Sequence, residues 1–344
     1  MNLDYIGKGL EVFKIWIVNL FLQIITFGIY RPWAKTKMRK YLYGSISVFG
    51  EELEYSGTGK ELFYGSAKAI GWLVLFILIA SLVLAAVFFA SGLESSIQGF
   101  LEDLTGNLVG CFGVFLLVAY AQFSSLRYRL NRSRWRSIKA QLSGKAKDYV
   151  ILKLKRMILN IVSFGSLIGR SDILARQFLI ERIAIGSTKF SFKGDYTGLD
   201  RVNFIALIPA YLALPSIFIF KPLFFLMIFV AIFARIWYGN KRRNYFWNSI
   251  RIGEDIKFSS NFGFRRLLWL WISNSLMIVF SLGLAIPFCI HRSVRFVVEN
   301  IQISGSPENV EFLQSQQNST ATGDGLDGLL GDASDDMDVD FGIW

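Results

Sequence analysis

"TFGIYRPWAKTKMRKYLYGSISVFG", residues 26–50, decides how this chain is read. An apolar run ends at Gly28 and Pro32, and five cations follow within ten positions: Arg31, Lys35, Lys37, Arg39 and Lys40. Ile46 and Val48 then alternate with polar residues up to Gly50. Gly and Pro end a helix. Apolar residues at period two indicate a strand with one buried face. A membrane-like segment, a basic aromatic arm and a strand therefore stand back to back.

The pattern returns. A shift of 255 positions carries Trp16, Asn19, Gly28, Pro32, Ile46 and Gly50 onto Trp271, Asn274, Gly283, Pro287, Ile301 and Gly305. A shift of 137 gives a weaker copy, with Phe27 on Phe164, Gly28 on Gly165, Arg39 on Arg176 and Ile46 on Ile183. The arm alone appears twice more. A shift of 92 sets Lys35, Lys37, Tyr43 and Ile46 on Arg127, Arg129, Trp135 and Ile138; one of 204 sets Lys37, Arg39 and Ile46 on Lys241, Arg243 and Ile250. After the arms, apolar residues alternate around Gly-containing turns: Ile46, Val48, Leu53 and Tyr55; Ile183, Ile185, Phe190 and Phe192; Ile250, Ile252, Ile256 and Phe258; Ile301, Ile303, Val310 and Phe312. These read as four β-hairpins that form one layer, because short hairpins are marginal alone. The second arm, "SIKAQLSGKAKDY", reads as a degraded copy.

Of 344 residues, 53% are hydrophobic, and the mean hydropathy is +0.42. Residues 69–90, "AIGWLVLFILIASLVLAAVFFA", carry no charge. About 20 apolar residues cross a bilayer as a helix. Apolar runs fall near 10–30, 70–90, 107–124, 157–169, 202–220, 222–238 and 267–290. The first carries Lys14 and no small-residue cleavage site, so it reads as part of the mature chain.

Lys and Arg mark cytoplasmic loops. The arms hold 7 cations (31–68), 11 (126–156), 6 (170–201), 8 (235–266) and 2 (292–303). If runs 2, 3, 5 and 6 cross, all five arms and the N-terminus face the cytoplasm, and runs 1, 4 and 7 are interfacial or re-entrant. The alternative is seven crossings.

The net charge of +11 is uneven. Residues 304–344 hold nine of the 26 acidic residues and none of the 37 Lys and Arg, so the body carries 37 cations against 17 acids. Because those cations flank membrane segments, they point to anionic lipid headgroups rather than nucleic acid. The tail reads as a disordered acidic segment. Its apolar end, Phe341, Ile343 and Trp344, suits docking.

Candidate headgroup or partner contacts are Arg31, Trp33, Lys37 and Arg39 in the first arm. Arg127, Arg129, Arg132, Arg134 and Arg136 form the densest basic stretch, and Arg235, Lys241 and Arg243 belong to the fourth arm. Trp33, Tyr41 and Tyr43 suit headgroup level. Asn19 and Asn274 form a candidate intramembrane polar pair at equivalent places, read first as inter-helix hydrogen bonds. Gly106, Gly110 and Gly113 allow close helix approach. Pro209 and Pro215 suggest a kinked helix. Cys111 and Cys289 make no metal or disulfide pattern, and His291, the single histidine, reads as an interface residue. No hydrolase, zincin, P-loop or dinucleotide fingerprint occurs, so no enzyme and no cofactor is expected.

Asn19, "TFGIYRPWAK", "MRKY" and an Ile-rich hairpin ending on Gly together resemble the YjgN-like family of bacterial multi-pass inner-membrane proteins, which has no assigned biochemical function. The last copy departs from the pattern, with Ala285 for Tyr30 and Phe288 for Trp33, and the middle copy has Gly169 for Pro32. The resemblance implies the bacterial inner membrane and transfers no catalytic residue.

The fold expected is a mainly α-helical transmembrane bundle with internal repeats plus a cytosolic layer of short β-hairpins. Its segments are a first repeat (1–68), a transmembrane pair with the second arm (69–156), a second repeat (157–201), a transmembrane pair with the fourth arm (202–260), a third repeat (261–313) and the acidic tail (314–344). The function expected is a membrane-embedded module that binds lipid or an unknown protein partner. The alternative is a transporter or channel for a small solute, with a path between the repeats.

Overall fold

The computed structural model describes residues 3–91, 95–194 and 197–305. Strand β1 (Asp4–Tyr5) leads into helices α1 (Gly9–Ile25) and α2 (Arg31–Gly44), then β2 (Ile46–Val48) and β3 (Glu51–Tyr55). Helices α3 (Gly59–Ser91) and α4 (Ser95–Arg132) precede β4 (Ser133–Trp135) and β5 (Ile138–Leu142). Helices α5 (Ala146–Val162) and α6 (Ile168–Ile180) precede β6 (Ile183–Ile185) and β7 (Thr188–Phe192). Helices α7 (Thr197–Ile219) and α8 (Lys221–Ser249) precede β8 (Ile250–Ile252) and β9 (Ile256–Ser260). Last come α9 (Phe264–Phe280), α10 (Ile286–Glu299) and β10 (Ile301–Ser304).

The strands form one antiparallel sheet in chain order, each bonded to the next. Hairpins join to hairpins: Leu53 pairs with Trp135, Ala140 with Ile185, and Phe190 with Ile252. The sheet curls until its ends meet through side chains, for Leu3 beside β1 packs with Ile303 of β10 and with Ile252 and Ile256. In the fifth unit the place of the second strand is taken by β1, which pairs with β2 (Asp4 with Ser47, Tyr5 with Ile46) and packs on α10. Each helix packs on its neighbours in sequence, and α10 packs on α1, so the helices close a ring above the curled sheet.

This corrects the expected fold class. The hairpins do join in one layer, as a continuous curled ten-stranded sheet around which the helices are arranged, but the transmembrane bundle is supported only in part. Among the described residues only three helices are long and apolar enough to cross a membrane: Thr105–Arg132, Gly198–Ile219 and Lys221–Ser249. Within α3 the shorter apolar stretch is Val74–Val83. The second hairpin is not degraded. Trp135 occupies the register of Val48, a shift of 87 rather than 92, so Ile138 begins the second strand and not the first. Its loop, Arg136 and Ser137, has positive φ at both residues (52° and 62°), as do Phe49 and Gly50 (54° and 83°). Both are type I′ loops, whose twist suits a two-residue hairpin. Val310 and Phe312 lie outside the described residues.

Runs 1, 4 and 7 are each the first helix of a helical hairpin. Their tips, residues 26–28, 163–165 and 281–283, share one design. The N–H groups of Gly28, Gly165 and Gly283 donate to the carbonyls of Gln23 (2.8 Å), Asn160 (2.7 Å) and Ile278 (2.9 Å), a Schellman closure. Thr26, Ser163 and Ser281 accept the N–H of Tyr30, Leu167 and Ala285 at 3.0, 3.3 and 2.9 Å. Before each glycine stands a large apolar residue in left-handed conformation, and it is almost bare: Phe27 is 97% exposed, Phe164 84% and Leu282 94%. At about 1.5 Å per residue, a helix of 17 residues such as α1 reaches about 25 Å. That falls short of the roughly 30 Å hydrocarbon core, so the chain turns and returns to the sheet. Helix α7 continues through Pro209 and Pro215. Of the three small residues opening run 3, only Gly113 meets its neighbour, where a Cβ would lie 2.8 Å from the Phe76 ring.

Such tips are stable in hydrocarbon rather than in water. In proteoliposomes, Phe27→Trp and Leu282→Trp should each add a blue-shifted emission component that lipids brominated on the acyl chain quench. A tip emitting as exposed indole would contradict burial in lipid. Gly28→Ala meets no atom within 4 Å but is forced to φ +86°, so it should destabilise the chain by about 1–2 kcal/mol, read as a lower Tm.

Candidate functional site: an apolar chamber inside the sheet

The five units place equivalent residues on one inner surface. Nearest the helices stand Tyr43, Leu130, Ile180, Trp247 and Val298, the ends of the even-numbered helices. Next come Ile46, Ser133, Ile183, Ile250 and Ile301 from the first strands, then Val48, Trp135, Ile185, Ile252 and Ile303 beside the turns. Alternation at period two sends these side chains inward, while Ser47, Arg134, Ala184, Arg251 and Gln302 point out. The surface encloses a cavity of about 280 Å³. Arg129 and Ser133 are its polar lining residues.

The wall is not evenly covered. Beside the turns Val48, Phe49, Ile185 and Phe190 are half-buried while Trp135, Ile252 and Ile303 are buried, so the mouth at the turn end lies along the four half-buried residues; at the helix end Tyr43 and Leu130 are half-buried as well. The Trp135 indole N–H bonds the Val48 carbonyl (3.2 Å) and Phe49 packs on its ring, fixing the two adjoining units together at that mouth.

The sequence-predicted contacts do not converge on one surface. Arg31, Lys37 and Lys241 are exposed; Lys37 lies over the Tyr30 ring, and Trp33 stacks on Tyr30 and Phe63. Arg39 and Arg243 are buried instead, as is Arg176 at the same register, and Arg243 and Arg176 lie over the rings of Phe262 and Phe246. A guanidinium inside an arm holds helices and strands together and does not reach headgroups. Arg129 faces the chamber. Arg127 bonds the Gly144 carbonyl, Arg132 pairs with Glu61 (2.7 Å), and Arg136 lies over Trp135 and 3.9 Å from Glu51. Arg134 lies on the outer face opposite Lys139. Arg235 donates to Asn203 (3.1 Å) and lies over the Tyr238 ring.

Asn19 and Asn274 each work within their own hairpin. Asn19 donates to the Ala34 carbonyl (3.3 Å); Asn274 donates to Ser293 (3.2 Å) and accepts from Arg292 (2.9 Å). Tyr41 bonds the backbone of Lys8, and Tyr43 faces the chamber rather than headgroups. His291 lies 3.2 Å from the Tyr5 hydroxyl. Burial, then Arg295, pushes the imidazole pKa down, while burial, then Tyr41, pushes the phenol up to about 12, so both groups are neutral near pH 7. Sequence reading missed the chamber because its wall is assembled from residues far apart in the chain, and missed β1 because two residues show no period.

One charged cluster joins the third and fourth units: Asp172 accepts from Arg176 (3.3 Å) and from Arg242. Burial raises the Asp172 pKa, but Arg176 and Arg242 outweigh it and hold the carboxyl well below the usual range. The stabilisation is therefore complete above about pH 4 and fades as pH falls below that. Asp172→Asn should cost about 3 kcal/mol near neutral pH, since two mostly buried guanidinium groups lose their carboxylate. The Tm gap between the parent and this variant should narrow in acid.

The family model described as "Bacterial protein of unknown function (DUF898)" matches residues 1–329, and the chain belongs to that family. Three proteins named "Inner membrane protein YjgN" are similar to it. That of Escherichia coli O157:H7 is 26% identical over 238 residues, and that of Escherichia coli strain K12 is 28% identical over 241. Each of these two alignments covers 62% of this chain and 58% of the relative's own length. The Salmonella typhimurium protein is 22% identical over 375 residues, covering 92% of this chain and 91% of the relative. No solved structure matches. The family, these relatives and the three apolar helices make this a bacterial inner-membrane protein.

Proposed function

We propose that this protein is a non-enzymatic, multi-pass membrane module that captures an apolar ligand or an apolar segment of a partner in the chamber. The observation that carries this reading is the chamber itself, lined by all five units. Concave, largely apolar sites with few polar groups are the ordinary form of a binding pocket. The units are read as one repeated element, used twice with long helices and three times with short re-entrant ones. Because every arm ends on one sheet, all five arms share one side of the membrane, and their Lys and Arg content makes that side the cytoplasm. Exposed Arg31, Lys37 and Lys241 then meet anionic headgroups.

A solute path is the second reading. It is favoured by the closed ring of helices, whose even-numbered members end on the chamber wall.

Two measurements test the proposal. Ile185→Trp and Val48→Trp, at the mouth, should fill the chamber and weaken binding of an environment-sensitive alkyl probe about tenfold or more, while the same side chain at exposed Ser187 should not. Equal binding by all variants would reject the chamber as the site. For topology, Ser187→Cys in a Cys111→Ser, Cys289→Ser background should react with an impermeant maleimide only after the membrane is opened. Labelling of intact cells would reject the shared cytoplasmic side.

A further inference from the structure

The outer face of the sheet carries like-charge pairs near its turns, beside one opposite-charge pair of Arg134 with Glu54. Arg134 stands directly opposite Lys139, and Arg251 directly opposite Lys257. Like charges in directly opposed cross-strand positions repel and destabilise a sheet. Lys189 lies on the same face, and all five cations are within one or two residues of the hairpin turns. A basic arc from β4 to β9 thus borders the mouth of an apolar chamber, with Glu254 and Asp255 in its β8–β9 turn and Glu51, Glu52 and Glu54 of β3 on the remaining side. Such an arc selects a partner that is acidic and ends in apolar side chains.

That description fits a segment of this chain. Residues 306–344, outside the described residues, hold nine acids and no Lys or Arg, and close with Asp335, Asp336, Asp338 and Asp340 before Phe341, Gly342, Ile343 and Trp344. The chain leaves the sheet at Gly305, directly after Ile301 and Ile303 of the chamber wall. Thirty-nine residues follow, far more than needed to reach back to the mouth, since an extended residue covers about 3.3 Å. A segment tethered to its own site is present there at about millimolar effective concentration.

We propose that residues 335–344 dock on this mouth. The aspartates pair with the basic rim of β4–β9, and Phe341, Ile343 and Trp344 enter the chamber. The entry of the apolar end rests on the chamber reading above; the pairing of the aspartates with the rim does not. External apolar ligands then compete with a resident segment.

Zero-length carbodiimide coupling of the full, unmodified chain tests the pairing, because it joins only carboxylates and amines already in contact. A one-to-one mixture of isotopically light and heavy chains is coupled and mapped by mass spectrometry. Expected are amides from Asp335, Asp336, Asp338 or Asp340 to Lys139, Lys189 or Lys257, within chains of one label, and lost in Lys189→Glu with Lys257→Glu. Links scattered over other lysines, or links joining light to heavy chains only, overturn the proposal. The second measurement is alkyl-probe affinity. Ile343→Ala with Trp344→Ala should tighten it about tenfold as the competitor is removed. Unchanged affinity in a chain that binds the probe overturns entry of the apolar end. A chain whose probe binding is absent in both forms rejects the chamber reading instead, and the coupling result still decides the rim.

Discussion

The structure depends on backbone pairing between hairpins that belong to different units. A two-stranded hairpin of three and five residues has little stability of its own. Here Leu53 with Trp135, Ala140 with Ile185, and Phe190 with Ile252 turn four such hairpins into one sheet. Each junction also sets the angle between neighbouring helix pairs, because the even-numbered helix runs into the first strand almost without a linker: Ser249 ends α8 and Ile250 begins β8. Right-handed strand twist, repeated over ten strands, curls the sheet. The ring of helices follows from that curl.

Within this frame the units differ where the chain meets lipid and agree where it meets the sheet. Helices α3 and α4 have 33 and 38 residues, whereas α1 and α2 have 17 and 14. Yet Tyr43, Leu130, Ile180, Trp247 and Val298 hold the same place on the wall. The wall constrains residue character to apolar but leaves size free, from Val298 to Trp247. The buried cations follow another rule. Arg39, Arg176 and Arg243 share a register, but the second and fifth units have Leu126 and Val294 there, so the guanidinium groups reinforce particular junctions and are not needed for the arrangement itself.

Much of this was legible in the residues. The alternation Ile46, Val48, Leu53 and Tyr55 and its counterparts gave three hairpins in register, and the stops at Gly28 and Gly283 marked real turns. The second hairpin was misplaced because Arg136 and Ser137 take left-handed φ without any glycine to announce it. A joint layer was expected, but which strands meet in it was hidden for a different reason: pairing between hairpins leaves no short-range pattern, since Leu53 and Trp135 are 82 positions apart. Arg39 and Arg243 were read as headgroup contacts from charge alone; burial, which charge does not reveal, puts them inside the arms. The candidate chamber was illegible for the same reason as those pairings, being a property of five units at once.

The placement of β1 carries a consequence for how the chain is made. Tyr5 reaches His291, a separation of 286 residues, and α1 packs on α10. Contacts of such separation form late, because their loop entropy is opposed by few earlier gains. During synthesis the first unit therefore waits, with the α1 face that α10 will cover still open, until the last helix emerges. Four completed units make an arc, not a ring. A chain stalled before Ile286 leaves that seam uncovered, and one carried through α10 hides it.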